Sequence, residues 1–389
     1  MKRVLIIAPY NRGTIGLCSL NLYEAFCQRK DCIVKCVCVH KFPNGHDGLE
    51  DCDYCIQAEA PVLLKWLNLL KQIIWFKKVK QVFKPDVTIS TLGGCSTISV
   101  LSGGSDKKIG VFHSPYFQEK AKGTIVYLNT LFSYQFIYPH LDRLACVSAE
   151  VKRSILSRFP RFEKKDVQVV YNVHNTDVIF AKASEPIPPS ERGVVTSDSV
   201  LYLGRLDANK APMRTLSAFH HALPFLSKES NLLFIGNSVG LIMSDLKQYV
   251  NNNGLENRVF FLGFRANPYN YLSKVKCLVS SSYSEGLPGA LIEALLLGKR
   301  IVTTNSSEGI WEILSCHEDY NPDLNGIYQC NDGFISSNLA SKDKSKNSTD
   351  IDNLSKALVM CMNTDTPVEF FFKYSIQANQ IVEQLLSGC

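Results

Sequence analysis

CLVSSSYSEGLPGALIEALLLGKRIVTTN, residues 277–305, is the stretch from which the fold can be read. The apolar run "CLVSSS" has the length of a buried strand. Gly286, Pro288 and Gly289 interrupt it, and "ALIEALLLG" then has the apolar density of a helix lying on a sheet. "RIVTTN" opens a second strand. Strand, short turn, helix and strand in that order make a βαβ unit, and such units build parallel sheets.

The same alternation runs through the chain in two series. "RVLIIAP", "IVKCVCVH", "KPDVTIST", "KKIGVFHSP", "LDRLACVS" and "VQVVYN" form the first. "SVLYLGRL", "NLLFIGN", "RVFFLGF", "CLVSSS" and "RIVTTN" form the second, with helices expected over 211–227 and 240–253. Residues 178–198, rich in Pro, Ser and charge, read as a linker between them. Residues 337–352 are polar and read as a mobile segment, and "PVEFFFKYSIQANQIVEQLL" as a final amphipathic helix. A chain of 389 residues is long for one core. The expected architecture is therefore α/β, with two Rossmann-like, doubly wound domains facing each other across a cleft. Residues 1–177, with 367–389 packing back on them, form one domain and residues 178–366 the other. In such sheets ligands bind beyond the carboxyl ends of the strands.

With 46% apolar and 20% charged residues the composition is that of an ordinary globular protein. No run of eighteen apolar residues offers a membrane span. The apolar stretch that follows "MKR" is too short for a secretory signal. The fourteen cysteines are scattered through a large chain, so reduced thiols of a cytoplasmic protein are expected. "DCDYC", residues 51–55, holds a C-x-x-C and a D-x-D. No second cysteine pair follows at zinc spacing, and both motifs read as chance in a loop. Asn305-Ser-Ser and Asn347-Ser-Thr fit the glycosylation sequon but have no meaning in a cytoplasmic chain.

Charge is unevenly spread. Residues 1–172 carry 24 Lys and Arg against 14 Asp and Glu, and the remainder carries 18 against 22. One half is strongly basic and the other mildly acidic, which points to different partners.

Within the opening stretch, Glu285 lies in the loop and Glu293 on the helix, with the helix N-terminus between them. Free N–H groups and the positive end of the helix dipole gather there, and a diphosphate fits beside small Gly286 and Gly289. A carboxylate accepts two hydroxyl hydrogen bonds at once, so each glutamate can grip a diol of a sugar or a ribose. By spacing alone, a structural N-terminal acid and a surface helix glutamate are the better explanation of the pair. "LYLGRLDANK" sets Arg205 and Lys210 beyond another strand, where they suit a diphosphate or are surface charges. Gly13 and Gly16 in "NRGTIG" are a weak glycine loop. His113, in "VFHSPY", again closes a strand, and a lone histidine is often structural.

The run "NRVFFLGFRANPYNYLSKVKCLVSSSYSEGLPGALIEALLLGKRIVTTN", followed by "EGIWEIL", closely resembles the retaining GT-B glycosyltransferases of the E-x7-E family, glycosyltransferase family 4. It is most similar to bacterial enzymes of capsule, O-antigen and lipid-linked oligosaccharide synthesis. "KPDVTIST", "RLACVSAEVKRSIL", "VQVVYNVHNTD", "LYLGRLDANK" and "NLLFIGNSVG" follow in the order such enzymes show. The resemblance implies that Glu285 binds donor-sugar hydroxyls and Glu293 the ribose. It implies that Arg205 and Lys210, with the backbone N–H groups of Gly286 and Leu287, hold the diphosphate. It places Gly16 near the phosphates, His113 beside the reacting sugar, and Gly263, Phe264 and Arg265 around the base. No metal or other cofactor is implied, because the two cations take that role. The donor is a nucleotide sugar, with UDP as the default base, and the acceptor a lipid-linked or other glycan. Three positions depart from the family pattern: Ala211 and Pro212 after the lysine, Gly13-Thr-Ile-Gly16 in the first loop, and "YNVHNTD".

Residues 61–84, "PVLLKWLNLLKQIIWFKKVKQVFK", contain six lysines, no acid and tryptophans among leucines and isoleucines. This suits the surface of an anionic membrane or the outer face of core helices. Lys107, Lys108, Lys120 and Lys122 extend the patch. No nucleic-acid module is present. The resulting expectation is a cytoplasmic enzyme peripheral to the inner face of the cytoplasmic membrane. Other readings are a non-catalytic sugar-nucleotide or glycan-binding subunit, and another GT-B enzyme such as a phosphorylase or an epimerase.

Overall fold

A computed structural model describes residues 1–10, 13–40, 53–56, 65–116, 124–314, 316, 319–341, 343–366, 368 and 378–387. The chain divides into two compact units, Met1–Asn175 with Lys373–Cys389, and Thr176–Phe372. The boundaries expected from sequence were 177/178 and 366/367.

In the first unit the chain runs β1 (Lys2–Tyr10), α1 (Gly13–Cys27), β2 (Cys32–His40), β3 (Asp53–Ile56) and α2 (Lys65–Phe83). It continues through β4 (Val87–Ser90), α3 (Gly93–Leu101), β5 (Lys107–Phe112) and α4 (Thr124–Phe132), which runs into a π-helical turn at Ser133–Ile137. β6 (Arg143–Cys146), α5 (Ala149–Arg158) and β7 (Asp166–Val169) complete it. The strands lie in the order β3-β2-β1-β4-β5-β6-β7, and every pair is parallel. Leu5 and Ile7 of β1 pack with Val37, Val39, Phe76, Cys95 and Ile98 on one face, and Val4, Ile6 and Ala8 are buried on the other, which explains why β1 reads as an unbroken apolar run.

The second unit contains α6 (Thr176–Ala183), β8 (Val200–Leu203), α7 (Pro212–Ala222), β9 (Leu232–Ile235), α8 (Ile242–Asn252) and β10 (Val259–Gly263). Then come α9 (Tyr269–Leu272), β11 (Cys277–Ser280), α10 (Gly289–Leu296), β12 (Arg300–Thr304), α11 (Glu308–Ile313), β13 (Ile327–Cys330), β14 (Gly333–Ser336) and α12 (Asn347–Met362). Its order is β10-β9-β8-β11-β12-β14-β13. The opening stretch forms the β11–α10–β12 unit, with Cys277 paired to Arg300 and Ser280 to Thr303 in parallel register. β13 turns back antiparallel on β14, a hairpin of two four-residue strands too short to carry a clear period.

A last helix, α13 (Ala378–Leu386), packs on α1 of the first unit. Buried Arg143 fixes it: Nη1 donates to the carbonyls of Gln384 and Leu385 and Nε to Asp166, so a cation meets the negative end of the helix. Residues 367 and 369–377 of the expected helix lie outside the described residues.

Four sequence readings are corrected. Residues 178–198 are no free linker: α6 packs on α9, Ile187 is buried, and Asn267 Nδ2 donates to Glu185 Oε2 at 2.7 Å. Residues 337–352 are no mobile segment where described, for Ser337, Asn338, Ala340 and Asp350 are buried and α12 begins at Asn347. Lys80 and Lys108 leave the expected basic patch, because both are buried beside Asp106, Lys80 Nζ at 2.9 Å from Oδ2. Cys316 and Cys330 form a disulfide, so not all thiols are reduced. Asp51 and Cys52, residues 61–64, Lys120 and Lys122 lie outside the described residues.

Candidate active site

Adjacent strands β8 and β11 end side by side, and their loops carry the charges. Lys210 Nζ lies 2.5 Å from Glu285 Oε1, which also accepts from Ser282 Oγ at 2.5 Å. The loops are stitched by Asn209, whose Nδ2 donates to the Ser284 carbonyl and whose own carbonyl accepts from Tyr283 N–H. Asp207 shapes the first loop from within. It accepts from Lys210 N–H at 2.9 Å and holds Arg205 Nη2 at 3.0 Å, leaving the arginine largely exposed. Tyr202 O–H donates to the carbonyls of Arg205 and Lys210 from below.

The second loop is held from beneath by buried polar side chains. Asn338 Nδ2 donates to the Tyr283 carbonyl at 2.9 Å, and Thr304 Oγ1 to that of Ser282 at 2.6 Å. Arg214 Nη1 donates to the Ser281 carbonyl and to Asn338 Oδ1. Its Nη2 lies 3.0 Å from Asp350, a fully buried carboxylate that also accepts from Leu339 and Ala340 N–H. Gly309 of α11 abuts the turn: a Cβ there would sit 2.5 Å from the Gly286 oxygen, so only glycine lets α11 approach.

Pro288 is the N-cap of α10. Glu293 follows on that helix, and burial pushes its carboxyl up to about 7, partly opposed by a hydrogen bond from Tyr269. At the edge strand β10, Gly263 takes a φ of 73° and Phe264 is exposed. Arg265 turns to Glu191, which also accepts from Tyr271 O–H at 2.5 Å.

Two expected site residues belong to the first unit. Gly16 is buried inside the first turns of α1. His113 directly follows β5; its Nε2 is sealed from solvent with no partner among the described residues, and burial lowers its pKa to about 4. It lines a crevice with Thr91, Cys18, Tyr171, Asn172 and Ile381. The structure thus brings together Arg205, Lys210, Glu285, Gly286 and Leu287. Asp207, Asn209, Ser282 and Asn338 were missed in the sequence, since small polar residues near strand ends have no periodic signature, and Arg214 and Asp350 were missed because on their helices they read as solvated charges.

Residues 185–326 match the glycosyl transferases group 1 family. The matched region contains the whole Arg205–Leu287 cluster. Over 269 residues the chain is 26% identical to an uncharacterized glycosyltransferase of Methanocaldococcus jannaschii, covering 66% of this chain and 64% of that one. It is 27% identical over 271 residues to the N-acetylgalactosamine-N,N'-diacetylbacillosaminyl-diphospho-undecaprenol 4-alpha-N-acetylgalactosaminyltransferase of Campylobacter jejuni, covering 68% and 70%. Among solved structures it is similar to Anabaena HepE in complex with UDP and glucose, with a TM-score of 0.65, 16% identity and full coverage of both chains. The fold is GT-B.

Proposed function

We propose that the protein is a retaining glycosyltransferase that moves a hexose or N-acetylhexosamine from a nucleotide sugar to a lipid-linked or other glycan acceptor in surface-glycan synthesis. The contact between Lys210 and Glu285 at the N-terminal end of α10 carries the reading. It joins a cation suited to a diphosphate with an acid suited to sugar hydroxyls, inside the matched domain. UDP as the base is supported by the UDP and glucose bound to HepE. A lipid-linked acceptor is supported by the diphospho-undecaprenol named for the Campylobacter relative.

In this reading the diphosphate takes Lys210 and Arg205 while sugar hydroxyls donate to Glu285 in place of Lys210. The cations stabilise charge as the nucleoside diphosphate leaves, a role that needs no metal. Gly286 and Leu287 N–H groups add to it, Glu293 binds the ribose, and Gly263–Arg265 border the base. Gly16 of the first unit approaches the phosphates and neutral His113 the reacting sugar. Glu285 is assigned to binding, so the acceptor hydroxyl attacks the face that the diphosphate leaves, and a phosphate oxygen takes its proton. The lysines of α2 bring the enzyme to the inner face of the cytoplasmic membrane.

A metal-free thermal-shift panel of UDP-, GDP-, ADP- and dTDP-sugars tests the reading, since a ligand bound only by the folded state raises its stability. One donor is expected to stand out and to lose its effect in Glu285→Ala. A shift that survives Glu285→Ala and Lys210→Ala together overturns the site.

A further inference from the structure

The first unit carries a surface that the proposed chemistry does not use. α2, α3 and the α4–π segment cross from β3 to β4, β4 to β5 and β5 to β6, all in one direction along the sheet. Right-handed crossovers place them on one face, and α3 packs against both α2 and the π turn.

The outward side of this layer is apolar. On α2, Leu67, Leu70 and Ile74 are each more than half exposed and fall on one stripe at helical spacing. On the α4–π segment, Leu128, Phe132 and Phe136 are also more than half exposed, with the two phenylalanine rings 5.0 Å apart. Leu101, at the end of α3, is nearly half exposed as well. These side chains are held outward by what lies behind them. Tyr134 stacks on Phe159 at 4.8 Å and meets Tyr138 edge-on, while Phe76 and Val79 anchor α2 to the core. A fixed apolar surface of this kind marks an interaction site.

Charge identifies the occupant. Lys71, Lys77 and Lys78 are exposed on α2, and Lys84 is exposed just beyond its end. Residues 65–84, 93–104 and 124–141, the whole of the three segments, contain no Asp or Glu. A second copy of the chain would set like charges against one another. Exposed leucine and phenylalanine between lysines instead suit the headgroup and acyl boundary of an anionic bilayer.

We propose that this three-helix face is a membrane-docking surface, in which the lysines of α2 meet anionic headgroups and Leu128, Phe132 and Phe136 insert beneath them. This deepens the reading of a lipid-linked acceptor, because it fixes which side of the first unit meets the bilayer.

Flotation of the full-length protein with vesicles of phosphatidylcholine alone, and with phosphatidylglycerol added, tests it without any acceptor. Wild type is expected to float only with the anionic vesicles. Losing both phenylalanines (Phe132→Ser with Phe136→Ser) is expected to weaken binding at least about tenfold, as buried aromatic area requires. Lys71→Gln, Lys77→Gln and Lys78→Gln together should weaken it as well and flatten its salt dependence. A phenylalanine variant that floats like wild type confines the contact to α2 and overturns the proposal. Light scattering that shows wild-type dimers turning monomeric in that variant assigns the face to a second copy and overturns it too. The sugar-nucleotide thermal shift, measured on the same variants, is expected to stay unchanged. Its absence in wild type would strike the transferase reading and leave the docking result standing on its own.

Discussion

The two units are built from the same kind of sheet yet present their candidate residues in opposite ways. In the second unit every charge in the Arg205–Glu285 cluster has a partner, and the loop beneath is fastened by Asn338, Thr304 and Arg214. In the first unit His113 has a sealed, unpartnered Nε2 and no charged neighbour in its crevice. One site is wired before any ligand arrives. The other holds a neutral ring whose Nε2 has no partner among the described residues. In the proposed reading the diphosphate meets a cluster already in place, and preorganisation lowers the cost of binding.

The largest expected effects probe this contrast directly. Glu285→Ala and Lys210→Ala should each lower transfer by about 10²–10³-fold or more, the scale of a lost charge-stabilising group. Lys210→Ala should melt near wild type, whereas Glu285→Ala, which removes a largely buried acceptor of Lys210 and Ser282, should melt somewhat lower. His113→Ala should cost less donor affinity than either, read as KM against kcat. Equal losses of donor affinity in all three would erase the contrast between the units.

Asp350→Ala attacks the support from below. It strands the buried Arg214 guanidinium and the N–H groups of Leu339 and Ala340, a loss of about 3–5 kcal/mol for a broken buried pair. Denaturant unfolding should show this loss in the second unit. A change under about 1 kcal/mol would mean that water replaces the carboxylate, and that the network does not fix the loop.

How much of this could be read beforehand follows the same division. The βαβ rhythm gave away both sheets, because strands buried on both faces stand out as apolar runs. Glu285, Lys210 and Arg205 were visible because charged residues beyond strand ends are few. Asn209 and Asn338 were not, since an asparagine that bonds backbone carbonyls 55 or 75 residues away looks like any loop residue. Asp350 misled outright: it lies in a run of Ser, Lys, Asn and Asp that reads as solvated, and only tertiary packing buries it. The exposed side of α4 escaped because Leu128 and Phe132 have the spacing of a core stripe.

Acid–base behaviour should separate the units again. Burial holds His113 and His174 of the first unit at about 4, below the ordinary 6.5, and raises Glu293 of the second to about 7 from 4.5. The histidines therefore stabilise fully above pH 6.5, and their contribution is lost as pH falls towards 4. Glu293 works in reverse: its neutral form fits, so stability is full below 4.5 and falls as pH rises through 7. Melting curves of Glu293→Gln should overlay wild type in mild acid and lie above it in mild alkali. Donor KM should fall as pH rises through 7 in wild type, because an ionised carboxylate accepts both ribose hydroxyls, and should flatten in the variant. A flat wild-type profile would take Glu293 out of the ribose site.

The smallest expected effect concerns one backbone angle. Ala211, between Lys210 and Pro212, caps α7 in the left-handed region at φ 45°, one of the two non-glycine residues with positive φ among those described. The family resemblance favours glycine there, and the structure supplies the reason: a Cβ in this conformation costs about 1–2 kcal/mol. The surroundings impose it. Ser281 Oγ donates to the Ala211 carbonyl at 2.8 Å and Tyr202 O–H to that of Lys210, so the angle is fixed by the same bonds that aim Lys210 at Glu285. Ala211→Gly should relieve the strain, and the greater freedom of glycine in the unfolded chain should cut the net gain to about 1 kcal/mol or less. That corresponds to a rise of roughly 2–4 °C or less for a unit of this size. Transfer should be unchanged if the bonds alone hold Lys210. If stability rises while transfer falls, the stiffness of alanine, and not only the hydrogen bonds around it, belongs to the wiring of the second unit.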